Sequence, residues 1–269
     1  MKSERHLKSR KDGAAHSFIE HRQSSGYVSF SLDMLMSETG LSRIAARNQL
    51  LRLEDRVVRP SPRLPFFLIV PPEYRSLGAP PMAWWLDDYL KWLKCPYYVG
   101  LLTAASIYGA SPQAIQETQV IVGTSQRTLS VGRIRVRFFK KKGINRSITQ
   151  PVDGSYAPLT IGTIETTCMD LIRYMQRLGG LERMSETIAP LLKQLNENRL
   201  RQALDAENEV PVAQRLGFVF DSLKATHLSE TVRAWLPLHL RYVPLCPHSQ
   251  VSGNQVNEKW RVLTTCKNT

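Results

Sequence analysis

Clustered cysteine is missing from this chain. Its 269 residues include four, Cys95, Cys168, Cys246 and Cys266, far apart and without a CxxC pair. Neither a disulfide framework nor a paired-cysteine metal site is expected, and the thiols read as reduced. Long apolar runs are missing too. The longest, such as Phe66 to Val70, fall far short of the roughly 20 residues that a membrane span needs. The opening MKSERHLKSRKDG lacks the apolar core of a signal peptide, so a cytoplasmic protein with no membrane partner is expected.

Signatures of catalysis are equally scarce. His6, His16, His21, His227 and His239 make no HExxH or triad-like arrangement, and neither GxxxxGK[ST] nor GxGxxG occurs, which removes support for nucleotide hydrolysis. Metal-dependent nucleases gather carboxylates around a hard cation, yet residues 118–146 contain no Asp or Glu. Glu165 and Asp170 fall near the start of an expected helix, where acidic groups also simply favour the helix dipole. Cys246 and His248 with Cys266 match no common zinc spacing. No enzyme, metal site or cofactor is expected; the rival is a nucleic-acid-processing enzyme whose carboxylates assemble from distant segments.

What the chain does have is positive charge, 36 Lys and Arg against 23 Asp and Glu, a net +13. Residues 1–94 carry +5, residues 95–160 carry +6 and residues 161–269 carry +2. A surface so weighted suits a polyanion, with nucleic acid ahead of acidic lipid because no basic amphipathic helix accompanies the charge.

The length suggests two domains. Helical character over 8–25 is followed by a short strand at 27–30, a helix from Leu32 to Ser37, a Glu-Thr-Gly40 turn, a helix opened by Ser42 that runs to about Asp55, and strands at 57–59 and 66–70. That is the order of a winged helix-turn-helix. Prolines at 71, 72, 80 and 81 bracket a linker, because proline removes a backbone donor and restricts its predecessor. The expected fold is therefore α+β, an N-terminal winged helix-turn-helix over 1–75 and a mixed α/β domain over 76–269. In the latter, helices are expected over 82–93 and 98–108, strands over 118–122 and 131–139, and further helices over 163–178, 181–196, 199–206, 212–225 and 229–235. Late strands at 241–245 and 261–265 are expected to close the sheet.

In the helix after Gly40, Ala46, Leu50 and Leu53 share one face at the spacing that packs a helix on its domain. Ser42, Arg43, Arg47 and Asn48 lie away from it, where side chains can bond base edges or phosphates in a major groove. Arg56, Arg59 and Arg63 fall in or beside the wing, where cations touch the sugar-phosphate backbone. The plainer reading of the helix is a solvated basic face, and of the wing arginines, solubility. Ile44 and Leu51 do not fit the simple picture, and suggest a second stripe against the rest of the chain or a dimer mate. Between Arg127 and Arg146 stand eight basic residues and no acidic one. Arg133, Arg135 and Arg137, with Lys140, Lys141 and Lys142, form a possible second basic surface for DNA, RNA or an acidic protein, or else an edge strand protected by charge. The acidic-protein option corresponds to a protein-binding immunity module.

Several segments taken together resemble the AbiEi family of antitoxins. They are TGLSRIAARNQLLRLEDRVVR, YYVGLLTAASIYGAS, VGRIRVRFFKK, TIETTCMDLIRY with the following GGL, QRLGFVFDSL and KWRVLTTCKN. The resemblance spans nearly the whole chain. It implies the antitoxin of a type IV, AbiE-type toxin-antitoxin system of bacteria, linked to abortive infection and phage defence. Its winged helix would bind inverted repeats in double-stranded DNA at its own promoter and repress the operon. Its C-terminal domain would counter a nucleotidyltransferase-like toxin without a stable complex. The chain departs from the family pattern chiefly at its short end, VLTTCKNT.

Overall fold

The structure, a computed structural model, describes residues 13–110, 116–152, 159–246 and 254–265. The chain is mixed α and β and divides into two compact units. The first takes Met1–Pro96, Thr124–Phe138 and Pro151–Leu159, the second Tyr97–Gly123, Phe139–Gln150 and Thr160–Thr269.

The first unit opens with helix α1 (Ala14–Ser24), strand β1 (Ser29–Ser31) and helices α2 (Leu32–Thr39) and α3 (Arg43–Leu51). Strands β2 (Val57–Val58) and β3 (Phe66–Ile69) follow. The three strands make an antiparallel sheet ordered β1-β3-β2, in which Phe30 faces Phe67 and Val58 faces Leu68. Its core joins Ala15, Phe18 and Ile19 of α1, Leu32 and Leu35 of α2, and Ala46 and Leu50 of α3 to Phe30, Val57 and Phe67 of the sheet. Phe30 stacks on Phe67 at 5.4 Å and meets the Phe18 ring edge-on at 5.2 Å, geometries that aromatic quadrupoles favour. The segment expected as a linker contains 3-10 turns at Pro72–Leu77 and Met82–Trp84. Helix α4 (Leu86–Trp92) then seats Tyr89 and Trp92 against Phe66, each at 5.3 Å.

The chain enters the second unit through strand β4 (Tyr97–Val99), helix α5 (Leu101–Ile107) and strand β5 (Thr118–Val122). A single helix over 98–108 is not what forms. Tyr97, Tyr98 and Val99 pair antiparallel with 120–122, and aromatic and β-branched residues favour that role. The break comes at Gly100 and at Leu101, whose φ is 57°; a Cβ on Gly100 would sit 3.0 Å from the Ile121 side chain. Strands β6 (Leu129–Val131) and β7 (Ile134–Lys140), most of whose residues belong to the first unit, form an antiparallel hairpin through Gly132; within that unit the Arg133 amide donates to Leu77 O at 2.9 Å. Strands β8 (Thr149–Val152) and β9 (Leu159–Gly162) went unseen in the sequence; Ile161 of β9 lies parallel to Val99 of β4.

Seven helices or helical turns follow: α6 (Ile164–Arg173), α7 (Met175–Leu178), α8 (Gly180–Ile188), a 3-10 turn at Ala189–Gln194, α9 (Glu197–Glu207), α10 (Val210–Ser222) and α11 (Thr226–Trp235). Every residue of α6 from Ile164 to Ile172 is buried, because α5, α8, α9 and α10 all pack against it. Among the described residues, the late strands pair with none of the strands from β4 to β9. Strands β10 (Val243–Pro244), β11 (Asn254–Asn257) and β12 (Val262–Thr265) form their own sheet ordered β10-β12-β11. Just before β12, Trp260 is fully buried over Gly217 of α10, where an added Cβ would lie 2.1 Å from the indole. The Trp260 ring nitrogen donates to Asp221 at 2.7 Å, and Gln214 donates to the Trp260 carbonyl at 2.9 Å.

Candidate nucleic-acid interface

Local capping sets the approach to α3. The Ser31 hydroxyl accepts from the Met34 amide at 3.1 Å and opens α2, and Gly40 closes it in the left-handed conformation with φ 66°. Buried Leu41 anchors the turn, and the Ser42 hydroxyl accepts from the Ala45 amide at 3.3 Å to start α3. A serine in this place satisfies one of the amide donors that every helix start leaves open. Ala46 and Leu50 are the buried residues of α3, and the Ala15 amide donates to Gln49 at 2.9 Å, tying α3 to α1. Arg43, Ile44, Arg47, Asn48 and Leu51 are exposed; at about 100° per residue Arg47, Leu51, Ile44 and Asn48 share an arc turned from Ala46 and Leu50, and Arg43 stands at its edge, next to Leu50.

Between α3 and the β2–β3 connection runs a groove of about 650 Å³. Arg43 and Arg47 line it from the helix, Arg59 and Arg63 from the connection, and Leu50, Leu51, Val57, Leu64 and Phe67 form its apolar part. Glu54 is the single acidic residue of the lining. None of the four arginines is in an ion pair among the described residues. Arg59 braces the proline-rich tip by donating to Pro62 O at 2.8 Å. Unpaired guanidinium groups around a concave surface raise the local positive potential, and their planar forks match phosphate oxygens and the guanine edge.

Of the residues singled out from sequence, Arg43, Arg47, Arg59 and Arg63 come together in this groove. Ser42 and Asn48 are exposed but lie outside its lining, and the Ser42 hydroxyl is occupied as a cap. Arg56 turns elsewhere: it is half-buried and reaches His16 Nε2 at 2.6 Å and Glu20 at 3.8 Å on α1. The helix expected to run to Asp55 ends at Leu51, after which the Arg56 and Val57 amides turn back to Leu53 O.

In the second basic set, Arg133, Arg135, Lys140 and Lys142 are exposed and Arg137 is half-buried. Lys141 corrects the expectation. Only 3% exposed, it donates to Glu207 at 2.7 Å, to Tyr98 Oη at 2.8 Å and to Asp170 at 3.0 Å. Tyr98 donates to the other oxygen of Asp170 at 2.5 Å. Arg173 completes the cluster, pairing with Asp170, with Glu207 at 2.7 Å and with Glu209 at 3.0 Å. Burial opposes a charged Glu207, yet Lys141 and Arg173 hold its carboxyl below the usual value. Burial would likewise lower Arg173, but Asp170, Glu207 and Glu209 keep it raised. Tyr98 is pushed well up, by burial first and by Asp170 second.

Glu165 stands in the first turn of α6, as the dipole reading expected, whereas Asp170 lies further along the helix, and both also meet cations. Both are buried, Asp170 under two cations and Glu165 under Arg199 at 3.1 Å. Among the described residues no group of three His, Cys, Asp or Glu side chains is placed to hold a metal ion; His248 and Cys266 lie outside those residues. Cys95, Cys168 and Cys246 are free thiols. No helix among the described residues is long and apolar enough to cross a membrane.

The family model of the AbiEi antitoxin C-terminal domain matches residues 98–222, a segment that encloses the whole Lys141 cluster. No curated protein matches the chain. Among solved structures, the RV2827C protein from Mycobacterium tuberculosis is 13% identical over 93% of this chain and 91% of that one, with a TM-score of 0.65, a likeness of fold alone. An antigenic nucleotidyltransferase-like protein from Paracoccidioides brasiliensis is 12% identical over 56% of this chain and 90% of that one; its TM-score of 0.33 carries no argument.

Proposed function

We propose that this chain, whose residues 98–222 match the AbiEi antitoxin C-terminal domain, is the antitoxin of a type IV toxin-antitoxin system and also the repressor of its own operon. Residues 1–75 act as a winged helix-turn-helix and residues 76–269 as the antitoxin domain, which counters a nucleotidyltransferase-like toxin in the cytoplasm without a lasting complex. The observation that carries the DNA-binding half is the groove in which Arg43 and Arg47 of α3 meet Arg59 and Arg63 of the β2–β3 connection. Helix α3 supplies groups for base edges, and the connection supplies cations for phosphates. The antitoxin half rests on the family match. An infection-linked role in phage defence belongs to the same reading.

The test is binding to the DNA immediately upstream of the chain's own reading frame. Arg43→Ala with Arg47→Ala is expected to cost ~1–3 kcal/mol for each base edge left without its arginine, with the melting temperature unchanged because both side chains are exposed. Gel shifts identical to the unsubstituted protein would remove α3 as the reading helix.

A further inference from the structure

Ile44 and Leu51 are 75% and 68% exposed, and both belong to the arc of α3 that faces away from its own core. Taken at 3.6 residues per turn, Ile44 lies about 60° from Arg47 and about 40° from Asn48, with Leu51 between Ile44 and Arg47. Single exposed aliphatics are ordinary on protein surfaces. Here an isoleucine, a weaker helix former than alanine or lysine, sits in the middle of a cationic and amide-bearing face on a helix capped and anchored from behind. A protein partner for this face would have to accept Arg43 and Arg47 as well, for which duplex DNA is the charge complement.

We infer that Ile44 is a specificity-determining residue that packs against the C5-methyl group of a thymine in the major groove, between base contacts made by Arg47 and Asn48. The inference rests on the reading of α3 as the helix that enters that groove. A thymine methyl is the one apolar feature the major groove presents, and it distinguishes an A·T pair through contact rather than hydrogen bonding. The aliphatic side chain offers that methyl what water does not, and it cannot take the place of an arginine on guanine. The preferred operator therefore carries a thymine within the step read by the first turn of α3.

The experiment measures binding by fluorescence anisotropy to the duplex upstream of the reading frame, and to the same duplex with every thymine replaced by uracil, which lacks only the methyl. Ile44→Ala is expected to lose about fourfold for one buried methyl on the thymine duplex and nothing on the uracil duplex. The unsubstituted protein should lose the same factor on going from thymine to uracil. Arg47→Ala is the companion variant. If it loses binding while Ile44→Ala matches the unsubstituted protein on both duplexes, the thymine contact is wrong and the reading helix stands. Equal loss by Ile44→Ala on both duplexes also overturns the methyl contact. If neither variant changes binding, the reading helix falls and the inference with it.

Discussion

Two clusters of positive charge in this molecule have opposite fates. In the groove of the first unit, four arginines stand without an acidic partner among the described residues; in the second unit, Lys141 and Arg173 are enclosed by Asp170, Glu207 and Glu209. Desolvating a cation costs several kcal/mol unless counter-charges and hydrogen bonds offset it. A run of basic residues is therefore a surface only where distant segments bring no carboxylates to it. Lys141 belongs to the most basic stretch of the sequence and is nonetheless its most buried charge, because α6 and α9 carry the acids that meet it.

The sharpest way to break this contrast is at Lys141. Lys141→Met leaves Asp170 and Glu207 buried with one cation fewer, and is expected to lower stability by ~3–5 kcal/mol, the usual effect of removing one partner from a buried pair. A urea midpoint no lower than that of the unsubstituted protein would mean that the cluster is open to water and that the distinction fails.

Acid should reveal the same cluster with a smaller effect. Since the folded carboxyl of Glu207 is held below the usual 4.5, its contribution is complete above about pH 4.5 and disappears as pH falls through the depressed value. Urea midpoints taken between pH 7 and pH 3 should fall at the acid end, and less steeply in Glu207→Gln. Identical acid profiles for the two proteins would show that Glu207 gains nothing from its cations.

The groove should respond in the other direction, with binding altered and stability untouched. Arg59→Ala and Arg63→Ala are each expected to reduce the slope of log affinity against log salt by about 1 for each phosphate no longer neutralised. Their effect on stability should stay within about 0.5 kcal/mol, as for other exposed positions. A melting shift with an unchanged salt slope would make them braces of the proline-rich tip, as Arg59 already is for Pro62.

The first unit was the more legible of the two. Its elements are short and locally signalled: Ser31 and Ser42 cap, Gly40 stops, and Ala46 with Leu50 marks the buried face. All of that information lies within a turn or two of the residue concerned. What escaped was the fate of Arg56, which depends on His16 and Glu20 of another helix. In the second unit the helices from α6 onward were readable from their periodicity, whereas β4 was hidden inside an apparent helix and β8 and β9, four residues each, are too short for alternation to mark them. Strand pairing is decided by partners far along the chain, and an apolar stretch such as Tyr97–Val99 reads equally well as a buried helix. The motif segments that suggested the family differ in burial: residues 39–59 are largely exposed, whereas Ile164 to Ile172 are all buried. Tyr98, Lys141, Asp170 and Arg173 all come from them and all meet in one cluster.

The plug of Trp260 on Gly217 sets a timetable for biosynthesis. Everything that builds the β1-β3-β2 sheet is synthesised before α4, so that sheet can assemble early, as N-terminal units do during translation. Helix α10, by contrast, has a face left bare until the indole arrives from a segment synthesised well after it. A stalled or clipped nascent chain would thus emerge with its early sheet formed and its last helices still waiting for their stopper, giving proteases a window on one half of the molecule alone.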